Sequence, residues 1–200
     1  MDNIFERKIY GQILRWKREN NGRSALLVEG ARRVGKSTIV EEFAKREYKS
    51  YILVDFNKAS KRVLHLFDDL MDLDYIFLFL QSTYRTTLYQ RESLIIFDEV
   101  QQCPMARQAI KYLVQDGRYD YIETGSLISI KQHTGNITIP SEEDRIEMYP
   151  MDYEEFRWAM GDTATIPLLR KQLESNRPMG DDINRQYMRD LRLYMLVGGM

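Results

Sequence analysis

Apolar positions along the chain fall into short blocks of two kinds. Ile9, Ile13 and Trp16 recur at i, i+4 and i+7 with Tyr10 and Leu14 beside them, which predicts an amphipathic helix ended by the turn cluster Asn20-Asn21-Gly22. Ala25-Leu26-Leu27-Val28 is an apolar run closing on Glu29-Gly30 and predicts a buried strand, followed after a loop by a helix over Lys36–Tyr48 with Ile39, Phe43, Val40 and Ala44 at helical spacing. Tyr51–Phe56 predicts a second strand. Two helical patches follow, one presenting Val63, Phe67 and Leu70, the other running from Asp74 to about Thr83. Leu94–Phe97 is a third strand closed by Asp98-Glu99, and Ala106, Ala109, Ile110, Leu113 and Val114 form a helical face with Gly117 at its C-terminal cap. Tyr119–Thr124 predicts a fourth strand, and Arg145–Tyr149 a fifth that Pro150 ends. Strands alternating with helices over residues 25–150 imply an α/β fold with a mostly parallel sheet covered on both faces. Asp152-Tyr153-Glu154-Glu155 has the pattern of a capping box, and a helical annex over 151–200 places Tyr187, Leu191, Tyr194 and Met195 on one face.

Composition narrows the function. The 200 residues carry 29 Lys plus Arg against 30 Asp plus Glu, a net charge of −1, which removes bulk electrostatics as a reason to expect nucleic acid or an anionic membrane. One cysteine, Cys103, and two histidines, His65 and His133, leave neither a disulfide framework nor a Cys/His zinc cage. The longest apolar run, Tyr75–Leu80, is far too short to span a bilayer, and Met1-Asp2-Asn3-Ile4 does not open like a signal peptide. The expectation is a cytoplasmic protein with no membrane partner.

Candidate chemistry begins where the first strand ends. Gly30-Ala31-Arg32-Arg33-Val34-Gly35-Lys36-Ser37 fits G-x-x-x-x-G-K-[ST] at every required position, between a predicted strand and a predicted helix. Gly30 and Gly35 lack a Cβ, so the backbone can turn its N–H groups around phosphate oxygens. Lys36 is a mobile point charge able to reach the β- and γ-phosphates, Ser37 offers a hydroxyl to Mg²⁺, and the following helix directs its positive end at the anion. Arg32 and Arg33 either add charge near the phosphates or sit solvated on the loop's outer side.

Asp98, at the tip of a buried strand, suits Mg²⁺, which needs only one or two protein oxygens. Glu99 next to it can orient and polarise an attacking water. The strand Tyr51–Phe56 lies between the phosphate-loop strand and the Asp98-Glu99 strand, which suggests the P-loop division with an additional strand beside the phosphate-loop strand. A polar residue on the next strand tip then reaches the γ-phosphate, and Thr124 and Ser126 are the candidates, unless they simply form a polar turn.

Gly30–Thr38, Leu94–Gln101, Tyr121–Ser126, Tyr149–Phe156 and Val197–Met200, in this order, resemble a family of bacterial and archaeal AAA-type ATPases related to the signal-transducing NTPases. The resemblance implies a P-loop NTPase three-layer sandwich with a five-stranded parallel sheet in the order 5-1-4-3-2, followed by a helical lid. It implies an ATPase core over residues 1–150 and the start of a lid over 151–200, with the chain stopping inside a motif that relatives continue through, often into a nuclease-like domain. The implied ligands are ATP and Mg²⁺. The nucleotide-binding candidates are Gly30, Val34, Gly35, Lys36, Ser37, Thr38, Thr124 and Ser126, with Ser37 and Asp98 for the metal and Glu99 and Lys36 for catalysis. Thr124-Gly125-Ser126 replaces the asparagine sensor of many AAA-type ATPases, and Arg145 stands where relatives often have an arginine.

The leading function is an ATP-binding, Mg²⁺-dependent ATP-hydrolysing switch. A switch that holds ATP without hydrolysis and a P-loop kinase are the alternatives. Absence of an Asn-Lys-x-Asp string tilts the base toward adenine. The expected partners are ATP and a protein client, with nucleic acid reached only through a further C-terminal domain.

Overall fold

The computed structural model describes residues 5–126, 141–178 and 180–199. The chain divides into two compact units, Ile9–Met148 and a second that gathers Tyr149–Met200 with the N-terminal stretch up to Lys8.

The larger unit holds the sheet. Strands β1 (Ala25–Gly30), β2 (Ser50–Asp55), β3 (Ser93–Asp98), β4 (Asp120–Ser126) and β5 (Glu143–Met148) lie in the order β2-β3-β4-β1-β5, all neighbours parallel, which is the order 5-1-4-3-2 read from the other edge. Parallel neighbours require crossover connections, and helices α1 (Lys8–Asn20), α2 (Lys36–Glu47), α3 (Lys61–Leu64), α4 (Leu73–Tyr84) and α5 (Pro104–Asp116) cover the faces. Alternate strand residues point to opposite sides. Leu26, Val28, Leu94, Ile96 and Ile122 pack with Ile9, Ile13, Trp16, Val40 and Phe43 of α1 and α2. Leu27, Ile52, Val54, Ile95, Phe97 and Tyr121 pack with Phe67, Ile76, Leu80, Ile110 and Leu113 on the other side. Burial on both faces is why β1 and β3 read as unbroken apolar runs.

Differences from the sequence reading are local. The first helical patch is only α3 and a 3-10 turn at His65–Phe67, closed by Asp68, whose Oδ2 accepts from His65 Nδ1 at 2.8 Å. Strand β5 starts at Glu143, before the expected Arg145, because its early positions are charged and hid the strand. His133 lies outside the described residues.

The smaller unit contains α6 (Tyr153–Ala159), α7 (Thr165–Glu174) and α8 (Asp181–Val197). Its capping box is formed: Glu155 N–H donates to Asp152 Oδ1 at 2.9 Å, and Asp152 N–H donates to Glu155 Oε2 at 3.1 Å. Tyr194 stacks near Tyr153 and Phe156 and donates its hydroxyl to Met151 O at 2.8 Å. Met195 departs from the predicted shared face, at 74% exposure. Gly199 is held so close that a Cβ would stand 2.2 Å from Met151 O, and Met151 N–H donates to Gly199 O at 2.7 Å. The segments 149–156 and 197–199 thus meet through backbone at Met151 and Gly199.

Candidate functional site

The loop Gly30–Ser37 joins the end of β1 to α2, as the motif requires. A Cβ on Gly30 would lie 2.2 Å from Met148 O on the neighbouring strand, so only glycine fits there. Arg33 and Gly35 take positive φ, 66° and 94°, which turns the chain into the helix; Gly35 is the N-cap of α2. Arg32 and Arg33 are exposed, Val34 is buried, Gly35 and Ser37 are half-buried, and Thr38 is exposed.

Lys36 is not a solvated cation as the motif alone suggests. It is buried, and its ammonium donates to Gly30 O at 3.1 Å and Ala31 O at 2.8 Å. Burial pushes its pKa below the usual lysine value, while the charges of Glu99 and then Asp98 pull the other way. Those opposing carboxylates place the acidic pair within electrostatic reach of the ammonium.

Asp98 ends β3, and two hydroxyls from different elements converge on its Oδ1. Ser37 Oγ donates from 2.6 Å, and Thr124 Oγ1 donates from β4. Glu99 follows with left-handed backbone, φ 55° and ψ 50°, a conformation a non-glycine residue holds only when its surroundings enforce it. Its N–H donates to Thr124 Oγ1 at 3.2 Å, so one fully buried threonine hydroxyl ties both members of the acidic pair. Ser126, buried at the end of β4, pairs in register with Gly30.

The side chain of Glu99 accepts a hydrogen bond on Oε2 from Gln101 Nε2. Gln101 was not a sequence candidate. It sits in the 3-10 turn Val100–Gln102, and only that turn, invisible in the local pattern, brings it back over Glu99. Arg145 lies inside β5 with its Nε on Glu143 Oε1 at 2.8 Å, which commits it to a carboxylate. Cys103 is buried and its thiol is raised by burial, the behaviour of a packing residue.

Ser37, Lys36, Asp98, Glu99 and Thr124 are therefore assembled where the C-terminal ends of the adjacent strands β3 and β4 meet the start of α2. The oxygen donors Ser37 Oγ and Asp98 Oδ1, already in contact, suit a hard cation. Among the described residues, no group of three or more His, Cys, Asp or Glu is placed to hold a metal by itself, and no helix is long and apolar enough to cross a membrane.

The solved chain of Drosophila ORC bound to DNA resembles this one with a TM-score of 0.50 at 15% identity, over 82% of this chain and 48% of that one. The Aeropyrum pernix ORC1 protein in complex with DNA gives 0.48 at 12% over 82% and 50%, and C. elegans PCH-2 gives 0.42 at 15% over 84% and 49%. The chain spans about half the length of these solved chains. At such identities the likeness to Drosophila ORC speaks to the fold alone. No curated protein matches the sequence significantly. A family profile described as an AAA domain matches residues 22–157, a span that runs from the start of β1 through all five strands and into α6. With the phosphate loop and acidic pair inside that span, the chain belongs to the AAA domain family.

Proposed function

We propose that this chain binds a magnesium nucleoside triphosphate, preferring ATP, and hydrolyses its terminal phosphate. The observation that carries the reading is the convergence of Ser37 and Thr124 on Asp98 Oδ1, with Lys36 buried beside them and Glu99 fixed at the next residue. Ser37 and Asp98 would hold Mg²⁺, which supplies positive charge against the phosphate oxygens. Lys36 binds phosphate by exchanging two neutral carbonyls, Gly30 O and Ala31 O, for charged oxygens, which are the stronger acceptors. Gly30, Val34, Gly35 and Thr38 shape the loop and helix start around the anion. Glu99 orients a water for attack on the γ-phosphorus and takes its proton as the bond to the departing diphosphate breaks. Thr124 keeps the two carboxylates in their roles, and Ser126 closes the strand tip beside Gly30.

In the same proposal the helical unit after Tyr149 is a lid whose position follows the phosphate state, and a cytoplasmic protein client reads that state. The test is turnover by the Glu99→Gln variant. Its hydrolysis should fall about a hundredfold or more, with Mg²⁺-ATP affinity kept. Wild-type turnover in that variant would remove Glu99 from the reaction.

A further inference from the structure

We propose that Gln101 is a positioning residue that fixes the Glu99 carboxylate for its work on water; this rests on the hydrolytic reading above. Glu99 is held at its backbone by Thr124 and by the turn, in which Gln102 N–H donates to Glu99 O at 2.9 Å and Cys103 N–H donates to Val100 O at 3.0 Å. That leaves the glutamate side chain free to rotate. Gln101 Nε2 removes the freedom by donating to Oε2, and Oε1 stays available to the water.

The other end of the amide carries the argument further. Gln101 is buried, only 6% exposed, and its Oε1 accepts from no group among the described residues. A buried acceptor without a donor is costly, and an apolar residue at this position, next to the fully buried Val100, would avoid that cost. What an apolar residue cannot supply is the donor to Glu99. The amide donates to a carboxylate oxygen without adding charge, so it orients Glu99 and leaves its basic electron pairs in place.

Steady-state hydrolysis of Mg²⁺-ATP by the full chain tests this, with Gln101→Leu as the variant and Gln101→Met, unbranched and adaptable, as the second should the first fold poorly. The expected result is a kcat lower by roughly ten- to a hundredfold with KM within about twofold, because positioning is lost and binding is not. In a Glu99→Gln background the same substitution should change the single-turnover rate by less than about twofold, since there is no carboxylate left to position. Unchanged kcat in both Gln101 variants overturns the proposal, as does an equal loss in the Glu99→Gln background, which would make the effect independent of Glu99. A wild-type chain without turnover, or a Glu99→Gln variant with wild-type turnover, removes the hydrolytic reading itself and the proposal with it. The reading thus fails in the parent or at Glu99, whereas the positioning role fails only at Gln101.

Discussion

Asp98 on β3 and Glu143 on β5 are carboxylates of the same sheet, and their partners differ in kind. Asp98 takes two hydroxyls, Ser37 and Thr124, beside an exposed loop. Glu143 takes charged partners: both its oxygens face the Arg107 guanidinium, Nε and Nη2 each at 3.0 Å, and Arg145 Nε reaches Oε1 at 2.8 Å. The Arg107–Glu143 pair is enclosed, with side-chain exposures of 3% and 0%. Beside it Glu123 is wholly buried, and among the described residues neither of its oxygens has a hydrogen-bond partner. Burial, and then the Glu143 charge, push the Glu123 carboxyl well above the ordinary 4.5. A carboxylate held by neutral hydroxyls can exchange them for a cation. One locked between guanidinium groups cannot, and serves the scaffold.

Breaking the scaffold cluster should give the largest effect. Arg107→Leu strands Glu143 as a buried charge, and urea denaturation should report a loss of about 3–5 kcal/mol, while the folded protein binds Mg²⁺-ATP as before. A loss below about 1 kcal/mol would erase the contrast between the two carboxylates.

Asp98→Asn should behave in the opposite way. Calorimetric titration should show Mg²⁺-ATP affinity weaker by about 1.5–3 kcal/mol, the worth of a charged contact, and stability close to that of the parent. Equal losses of stability and affinity would mean that Asp98 is as structural as Glu143.

The smallest effect belongs to Glu123→Gln, which imitates the protonated carboxyl and should change stability at neutral pH by no more than about 1 kcal/mol. Its signature lies in the pH dependence. Because the folded-state value is raised, the folded chain keeps a proton that the unfolded chain gives up near 4.5, so this contribution to stability is complete below that pH and is lost as pH rises through the folded titration. The parent should lose stability across that upward range, and Glu123→Gln should flatten the slope. An unaltered slope would show that Glu123 does not hold the proton.

The contrast also explains what was legible in the sequence. The loop Gly30–Ser37 could be placed between a strand and a helix because its residues are consecutive, and Asp98-Glu99 at a strand end because they close an apolar run. The strand order came through the resemblance, and the sheet reproduces it. Thr124 is visible as a polar residue at a strand tip, but its two hydrogen bonds, one to Asp98 and one from Glu99, depend on β3 and β4 lying side by side. Gln101 closes the family-like segment Leu94–Gln101, but only the 3-10 turn brings its amide onto Glu99. Arg107, Glu123 and Glu143 come from α5, β4 and β5, and nothing in their local sequence marks three separated charges as one buried cluster. The same charges concealed where β5 begins.

Lys36→Ala offers the most direct measurement of the central claim, that these strand ends form a triphosphate site. In the parent the ammonium waits on Gly30 O and Ala31 O, so its removal costs the fold little and the ligand much. Titration calorimetry with Mg²⁺-ATP should show affinity lower by about a hundredfold, the equivalent of roughly 2.7 kcal/mol from a charge-assisted contact, with the melting temperature nearly unchanged. Near-parental affinity in folded Lys36→Ala protein would contradict the claim.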